Sequence, residues 1–422
     1  MVINKNKIIT YSILLSLSII LTIGNNTILL LLFQLFIGFL VVKYSKFSFF
    51  SVMTIVLLFS YLQGVIRHIF GPYLFSNTLH YAGTIFPYYF SELSLSSLFF
   101  VMTALFFVWF TKIVVREKEY YTCDFNISIS TATLLSVFAF LIVFIVFPSL
   151  PTLSYEVGAR ARNESVPYGL VLMSLFIFSL VFDKWKDSRF IKYITIISIL
   201  WILFHGERAE LLGFLTYLGL RYSNILSLKK NSGYIDRRKK YKLYILIFFV
   251  ALLFCAVGLK RIDNNTNLDV ITIIGNLLIQ GTAADAVNDF YCATDIWKTG
   301  HLMYGATYLD YLIHLLPVGR TNEYNVANIL LRDYKTMGGA LFYSEGIMNF
   351  GIYGVLFFNI IFFAIINQFI KKRNKLKQLM WIPVVLEVFR ICWYGIDGWV
   401  FASCVEIPIF YFFIYCLKLN KS

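Results

Sequence analysis

The chain has 422 residues, 59% hydrophobic and 14% charged, with a mean hydropathy of +0.73. Soluble domains carry roughly 25% charged residues, so the composition excludes an ordinary soluble globular protein and points to a polytopic membrane protein. The formal charge of +14 comes with no basic-aromatic alternation and no nucleic-acid motif, so nucleic acid is not an expected partner.

A helix needs about 17 to 25 apolar residues to cross about 30 Å of hydrocarbon while satisfying its own backbone hydrogen bonds. Runs of that kind predict twelve spans, at 7–24, 27–42, 48–70, 91–114, 126–147, 167–182, 190–204, 209–226, 243–259, 344–370, 379–394 and 399–417. Lys5 and Lys7 before the first run imitate a secretory signal, but no small-residue cleavage site follows, so a retained helix is expected. The predicted fold is therefore all-α, a polytopic transmembrane bundle of about 12 spans forming a single integral membrane domain over 1–422.

Basic residues test this topology. Lys43 and Lys46; Lys112, Arg116 and Lys118; Lys184, Lys186 and Arg189; the loops 227–242 and 371–377; and Lys418 with Lys421 all fall on one side. By the positive-inside rule that side is cytoplasmic, and both termini with it. With Lys192 and Arg221, 26 of the 37 Lys and Arg residues lie inside. Of the 11 outside, only Lys260, Lys298 and Lys335 are lysine, whereas eight are arginine: Arg67, Arg160, Arg162, Arg208, Arg261, Arg320, Arg332 and Arg390. Lysine suffices as a topological charge; the arginine fork binds carboxylate or phosphate at two points and stays ionised when partly desolvated. An anionic ligand on the outer side is the expectation.

Two outward segments stand out. The loop 148–166 carries Glu156, Arg160, Arg162 and Glu164. The 84-residue segment 260–343 lies between the ninth and tenth spans, and loops so long usually carry function. Within it "NLDVITIIGNLLIQG", "TYLDYLIHLLP" and "EYNVANILLRDY" read as amphipathic helices, expected to form a small cap over the membrane. Of the six cysteines only Cys292 falls on the outer side, so no disulfide framework is expected, and without a CxxC, His-x-x-x-His or Asp-x-Asp neither a metal nor a cofactor is expected. No internal repeat is visible, which weakens a secondary-transporter reading.

The layout of the whole chain, together with "ARARNESVPYGLVLMSLFIFS", "FHGERAELLGFLTYLGL" and "GGALFYSEGIMNFGIYGVLFFN", resembles the O-antigen polymerase family, the Wzy-type oligosaccharide repeat-unit polymerases. The resemblance implies a metal-independent glycosyltransferase of the inner membrane. Its substrates would be polyprenyl-pyrophosphate-linked oligosaccharides, with membrane lipid and a chain-length regulator protein as further partners. Such an enzyme moves the lipid-linked glycan chain onto a new lipid-linked repeat unit at the periplasmic face. A lipid-linked oligosaccharide flippase and a ligase-like glycan transferase are the alternatives; the long outer segment speaks against the flippase, and only the acceptor distinguishes the ligase.

The chemistry asks for cations where charge grows on the leaving pyrophosphate, each worth about 10² to 10³ in rate, and for a proton acceptor on the attacking hydroxyl. Arg208, at the outer mouth of a span between Glu207 and Glu210, is the first candidate for the cation, its alternative being a Glu-Arg cluster that caps a helix. Arg160, Arg162, Arg261 and Arg320 are candidates for binding pyrophosphate or glycan, with Glu210 orienting Arg208. Glu345 is the candidate base: Gly338 and Gly339 permit close approach before its span begins, and its alternative is N-terminal capping. His301 and His314 are other possible bases, and Glu387, Arg390, Asp397 and Glu406 form a further polar set in which Glu387 and Arg390 can neutralise each other.

Overall fold

In the computed structural model, the regular elements among the described residues are all helical, with a single isolated bridge and no strand. Those residues are chiefly 27–45, 48–74, 127–150, 169–230, 282–314, 324–334, 338–370 and 375–401. In chain order the helices are α1 (Thr27–Ser45), α2 (Phe49–Leu74), α3 (Ile129–Val146), α4 (Gly169–Val181), α5 (Arg189–Phe204), α6 (Ala209–Lys230), α7 (Thr282–Lys298), α8 (Ala306–His314), α9 (Val326–Tyr334), α10 (Ser344–Ile370), α11 (Lys375–Leu386), α12 (Val388–Trp393) and α13 (Asp397–Phe401). Three windows among the described residues are long and apolar enough to cross a membrane, Phe49–Ile66, Ile129–Val146 and Ser344–Ile366, with Ile28–Lys43 a shorter apolar helix. The chain is thus all-helical and compatible with a membrane protein. The expected spans at 7–24, 91–114, 243–259 and 399–417 lie wholly or largely outside the described residues.

The chain divides into two compact units. The first comprises Met1–Glu117, Leu278–Lys372 and Ile391–Asp397. Here α1 and α2 form a hairpin whose second helix is capped by Ser48: its Oγ accepts from the Ser51 N–H at 3.2 Å, and Ser51 Oγ donates back to the Ser48 carbonyl at 2.8 Å. The centre of the unit is α7, "TAADAVNDFYCATDIWK", which hydropathy does not reveal because alanine, threonine and aspartate interrupt any apolar run. Its Ala286, Val287, Phe290 and Ala293 are nonetheless fully buried. Small residues let it pack against α2, where a methyl on Gly64 would stand 2.6 Å from Val287 Cγ1, and against α10, where one on Gly351 would stand 2.5 Å from the Trp297 indole nitrogen. The 260–343 segment therefore supplies a helix packed against two candidate spans, and is more than a cap.

The sequence expects one unbroken span over 344–370. The structure breaks α10 at Phe350 and Gly351, where Gly351 takes φ +61° and ψ −145°. Positive φ costs glycine nothing. Beyond the break the chain turns back on itself closely enough that a methyl on Gly346 would lie 2.8 Å from Val355 Cα, and one on Gly354 2.9 Å from Phe350 Cβ. Residues nine apart, two and a half turns of a straight helix, would be separated by about 13.5 Å, so the first turns of α10 are a separate helical piece folded against the longer one. Glycine at these positions is what permits the fold-back.

The second unit comprises Lys118–Leu277, Arg373–Arg390 and Gly398–Ser422. Ser128 caps α3 by accepting from the Thr131 N–H at 3.2 Å, and Ser188 caps α5 by accepting from the Ile191 N–H at 3.4 Å. α3 packs on α4 and α5, and α6 packs on α4 and α11. The expected span 379–394 is also divided: α11 contains Pro383, which cannot donate to the helix ladder, and a turn at Glu387 separates α11 from α12.

Candidate functional site

In the second unit, "FHGERAEL" forms the joint between α5 and α6. Gly206 takes φ +86°, its N–H donates to Leu203 O at 2.9 Å and the Glu207 N–H donates to Ile202 O at 3.3 Å. That pair of bonds is the Schellman termination, which satisfies the last carbonyls of α5 and needs a left-handed residue. Arg208 follows directly and opens α6, its carbonyl accepting from the Leu212 N–H at 2.9 Å. Arg208 is half-buried, whereas Glu207 and Glu210 are each 2% exposed.

Glu210 has a partner that the sequence does not suggest. Its Oε1 accepts from Arg390 Nη1 at 3.0 Å, and Arg390 Nε lies 3.6 Å from Glu387 Oε2. The neutralisation expected between Glu387 and Arg390 is present and extends to a third group. Gly213, one turn beyond Glu210, makes it possible: α11 comes so close that a methyl there would lie 2.5 Å from the Leu386 carbonyl carbon. Arg208 thus opens α6 and Arg390 reaches its first turn, the positive end of the helix dipole.

The described ends of the 148–166 loop return to the same joint. His205 Nε2 lies 3.0 Å from Ser149 O and its Nδ1 2.7 Å from Trp201 O. Both partners can only accept, so a neutral ring satisfies one and a doubly protonated ring both. The imidazole stacks on Phe147 at 4.8 Å, the Trp201 indole donates to Phe147 O at 3.0 Å, and the Asn163 N–H donates to Val146 O at 2.9 Å. Arg160 and Arg162 themselves, like Arg261, Arg320 and Glu406, lie outside the described residues. Towards the far end of α6, roughly 20 Å away at 1.5 Å per residue, Arg221 is 3% exposed, pairs with Asp183 and donates to Tyr217 Oη at 2.9 Å.

In the first unit, Glu345 lies in the first turn of α10, 2% exposed. Its carboxylate accepts from side chains of α8: Thr307 Oγ1 donates to Oε1 at 2.8 Å and Tyr311 Oη donates to Oε2 at 2.8 Å. Asn349 Nδ2 donates to Thr307 Oγ1 at 2.6 Å and to the Glu345 carbonyl at 2.8 Å. Because an amide NH₂ can only donate, the Thr307 hydroxyl accepts from it and turns its own proton to Glu345, which orients the chain of bonds. The network also holds the broken helix, with Gly305 N–H donating to Asn349 Oδ1 at 2.8 Å and Met303 N–H to Met348 O at 3.0 Å.

Gly339 makes the expected close approach: a methyl there would overlap the Asp289 carboxylate and lie 3.2 Å from Trp393 O. Next to it the Ala340 N–H donates to Trp393 O at 2.9 Å, and the Trp393 indole donates to Ser60 Oγ at 2.8 Å. His301 is exposed with Nδ1 3.1 Å from Thr299 Oγ1, and the His314 side chain lies outside the described residues. Tyr334 donates to Asp295 at 2.8 Å; burial, then that bond, pushes its phenol up. Sequence reading missed Thr307, Tyr311 and Asn349, whose only signal is the i, i+4 placement of Thr307 with Tyr311 and of Glu345 with Asn349 on two helices. Among the described residues no group of three or more His, Cys, Asp or Glu is placed to hold a metal ion.

No family model matches the chain, and no solved structure matches it. It is 24% identical over 259 residues to an uncharacterized protein of Methanocaldococcus jannaschii, an alignment that covers 61% of this chain and 57% of that protein. The chain thus spans little more than half the length of the relative it matches.

Proposed function

We propose that the chain is a polymerase of lipid-linked oligosaccharide repeat units, a multi-pass glycosyltransferase of the cytoplasmic membrane with about twelve spans and cytoplasmic termini. It transfers a polyprenyl-pyrophosphate-linked glycan onto a new lipid-linked repeat unit at the outer face. The observation that carries this reading is the joint at the start of α6: Arg208 opens the helix, Arg390 reaches Glu210 in its first turn, and one end of the loop that bears Arg160 and Arg162 is fastened to His205 through Ser149 O. An anion with two phosphoryl groups is the ligand such a set of forks suits. Charge develops on the leaving pyrophosphate, and Arg208, half-buried at the positive end of a helix dipole, is the cation assigned to it. Glu345 is the carboxylate assigned to the attacking hydroxyl.

The test is the purified chain in vesicles with lipid-linked repeat units, read as a ladder of glycan lengths. Arg208→Ala should lower the rate of chain growth about 10² to 10³-fold while the protein still enters the membrane. Wild-type chain growth in that variant would refute the role of Arg208. Gene deletion separates the alternatives: loss of a polymerase leaves single repeats on the surface, loss of a flippase leaves none, and loss of a ligase strands finished polymer on the lipid carrier.

A further inference from the structure

The amphipathicity of α8 is inverted. At i, i+3 and i+4 it turns Thr307, Asp310 and Tyr311 inward, each 5% exposed or less, while Leu309, Leu312 and Ile313 face outward at 58%, 61% and 37% exposure. A helix bathed in water places its aliphatic residues on the inner side. Here the polar side chains bind the protein, two of them holding Glu345, and the aliphatic ones are left for the surroundings.

The position of α8 says what those surroundings are. Its entry is pinned to the break in α10 by the Met303 and Tyr304 N–H groups, which donate to Met348 O and Asn349 O at 3.0 and 3.2 Å. From there it runs alongside the longer part of α10, since the Tyr308 ring stacks on Phe358 with centroids 6.1 Å apart. Phe358 lies seven residues beyond Gly351, about 10 Å along the longer part of α10, which runs from Ile352 to Ile370 as an apolar helix. Between Gly351 and Phe362 the exposed residues are Ile352, Tyr353, Phe357, Ile360 and Ile361, all apolar or aromatic, and the last four form a strip at i, i+4, i+7 and i+8. Tyr304 and Phe350, exposed at 73% and 42%, stand at the break where α8 and α10 are joined.

We infer that α8 is seated in the bilayer beside α10, with Leu309, Leu312 and Ile313 against lipid acyl chains. The occupant of this face is hydrocarbon because the strip it adjoins belongs to the apolar part of α10 beyond the break, residues 352–370, which at 1.5 Å per residue is about 28 Å long, and α8 contacts that part at Phe358. Thr307 and Tyr311 then hold the Glu345 carboxylate from a lipid-bathed element, at acyl-chain depth. This holds whether or not the chain is a polymerase.

The test uses the unaltered protein in vesicles of phosphatidylethanolamine and phosphatidylglycerol that contain a phospholipid with a photoactivatable diazirine in its acyl chain. Adduct positions are mapped by peptide mass spectrometry, beside a parallel sample labelled with a water-soluble diazirine. Acyl-chain adducts on Leu309, Leu312 or Ile313, in yield comparable to those on Tyr353 and Phe357, are the expected result. Labelling of α8 by the water-soluble reagent alone would overturn the inference, because the face would then be aqueous. Labelling by neither reagent while α10 takes up the lipid probe would also overturn it, because the face would then be covered by protein, such as a second copy of this chain.

Discussion

Gly213→Ala probes how the charged joint is assembled. Gly213 sits one turn beyond Glu210 on α6, and its missing side chain lets the backbone at Leu386 lie directly on the helix. An added methyl would overlap the Leu386 carbonyl oxygen and stand 2.5 Å from its carbon, whereas ordinary contact begins at 3.4 Å, so α6 and α11 must part by at least about 0.9 Å. Backbone lies on both sides, and no rotamer change relieves the overlap. Overpacking of this kind costs about 1–3 kcal/mol. The same displacement takes the Arg390 to Glu210 contact from 3.0 Å to about 3.9 Å or more, beyond hydrogen-bond range. The assay is a double-mutant cycle on the unfolding of the purified chain, with Glu210→Gln and Arg390→Gln measured in the wild-type and Gly213→Ala backgrounds. A coupling of about 0.5–3 kcal/mol is expected in the first background and close to none in the second. If Gly213→Ala unfolds like the wild type and leaves the coupling intact, the close approach does not position Arg390.

Two further outcomes follow from buried polar groups. Asp183→Asn should destabilise the chain by about 3 kcal/mol, because Arg221 stays buried at 3% exposure with its charge partner gone; an unchanged thermal midpoint would show that the pair contributes nothing. Thr307→Val should cost more than Tyr311→Phe, at about 1–3 kcal/mol for each buried group left unpaired. Thr307 serves both Glu345 and Asn349, whereas Tyr311 gives Glu345 a single bond. The reverse order in thermal unfolding would contradict the direction assigned to this chain of bonds.

Apolar runs made much of the fold legible. Windows at 48–70 and 126–147 correspond to α2 and α3, both apolar enough to cross a membrane, and those at 190–204 and 209–226 fall on the helices α5 and α6, because unbroken hydropathy marks a helix that shelters its own backbone. α7 escaped, since a helix buried among other helices can use alanine, threonine and aspartate and leave no such run. The breaks at Gly351 and Glu387 escaped for a related reason: a hydropathy window averages over the two pieces and cannot register a change of direction.

The candidate site divides in the same way. Arg208 was legible as a charge at the edge of an apolar helix, and Glu345 as a carboxylate after a glycine pair. Their surroundings were not. Glu210 is bound by an arginine 180 positions away, and Glu345 by hydroxyls 38 and 34 positions away.

By itself, the sequence determined the helical class and windows apolar enough to cross a membrane, because each follows from the solvent a residue must meet. Tertiary structure alone decided that α8 turns its polar face inward, that Glu345 is held by Thr307 and Tyr311, and that Arg390 joins Arg208 at the start of α6. Hydrogen bonds and ion pairs act over about 3 Å, and only the packing of remote segments, through glycines at 213, 339, 346, 351 and 354, brings such groups within that reach.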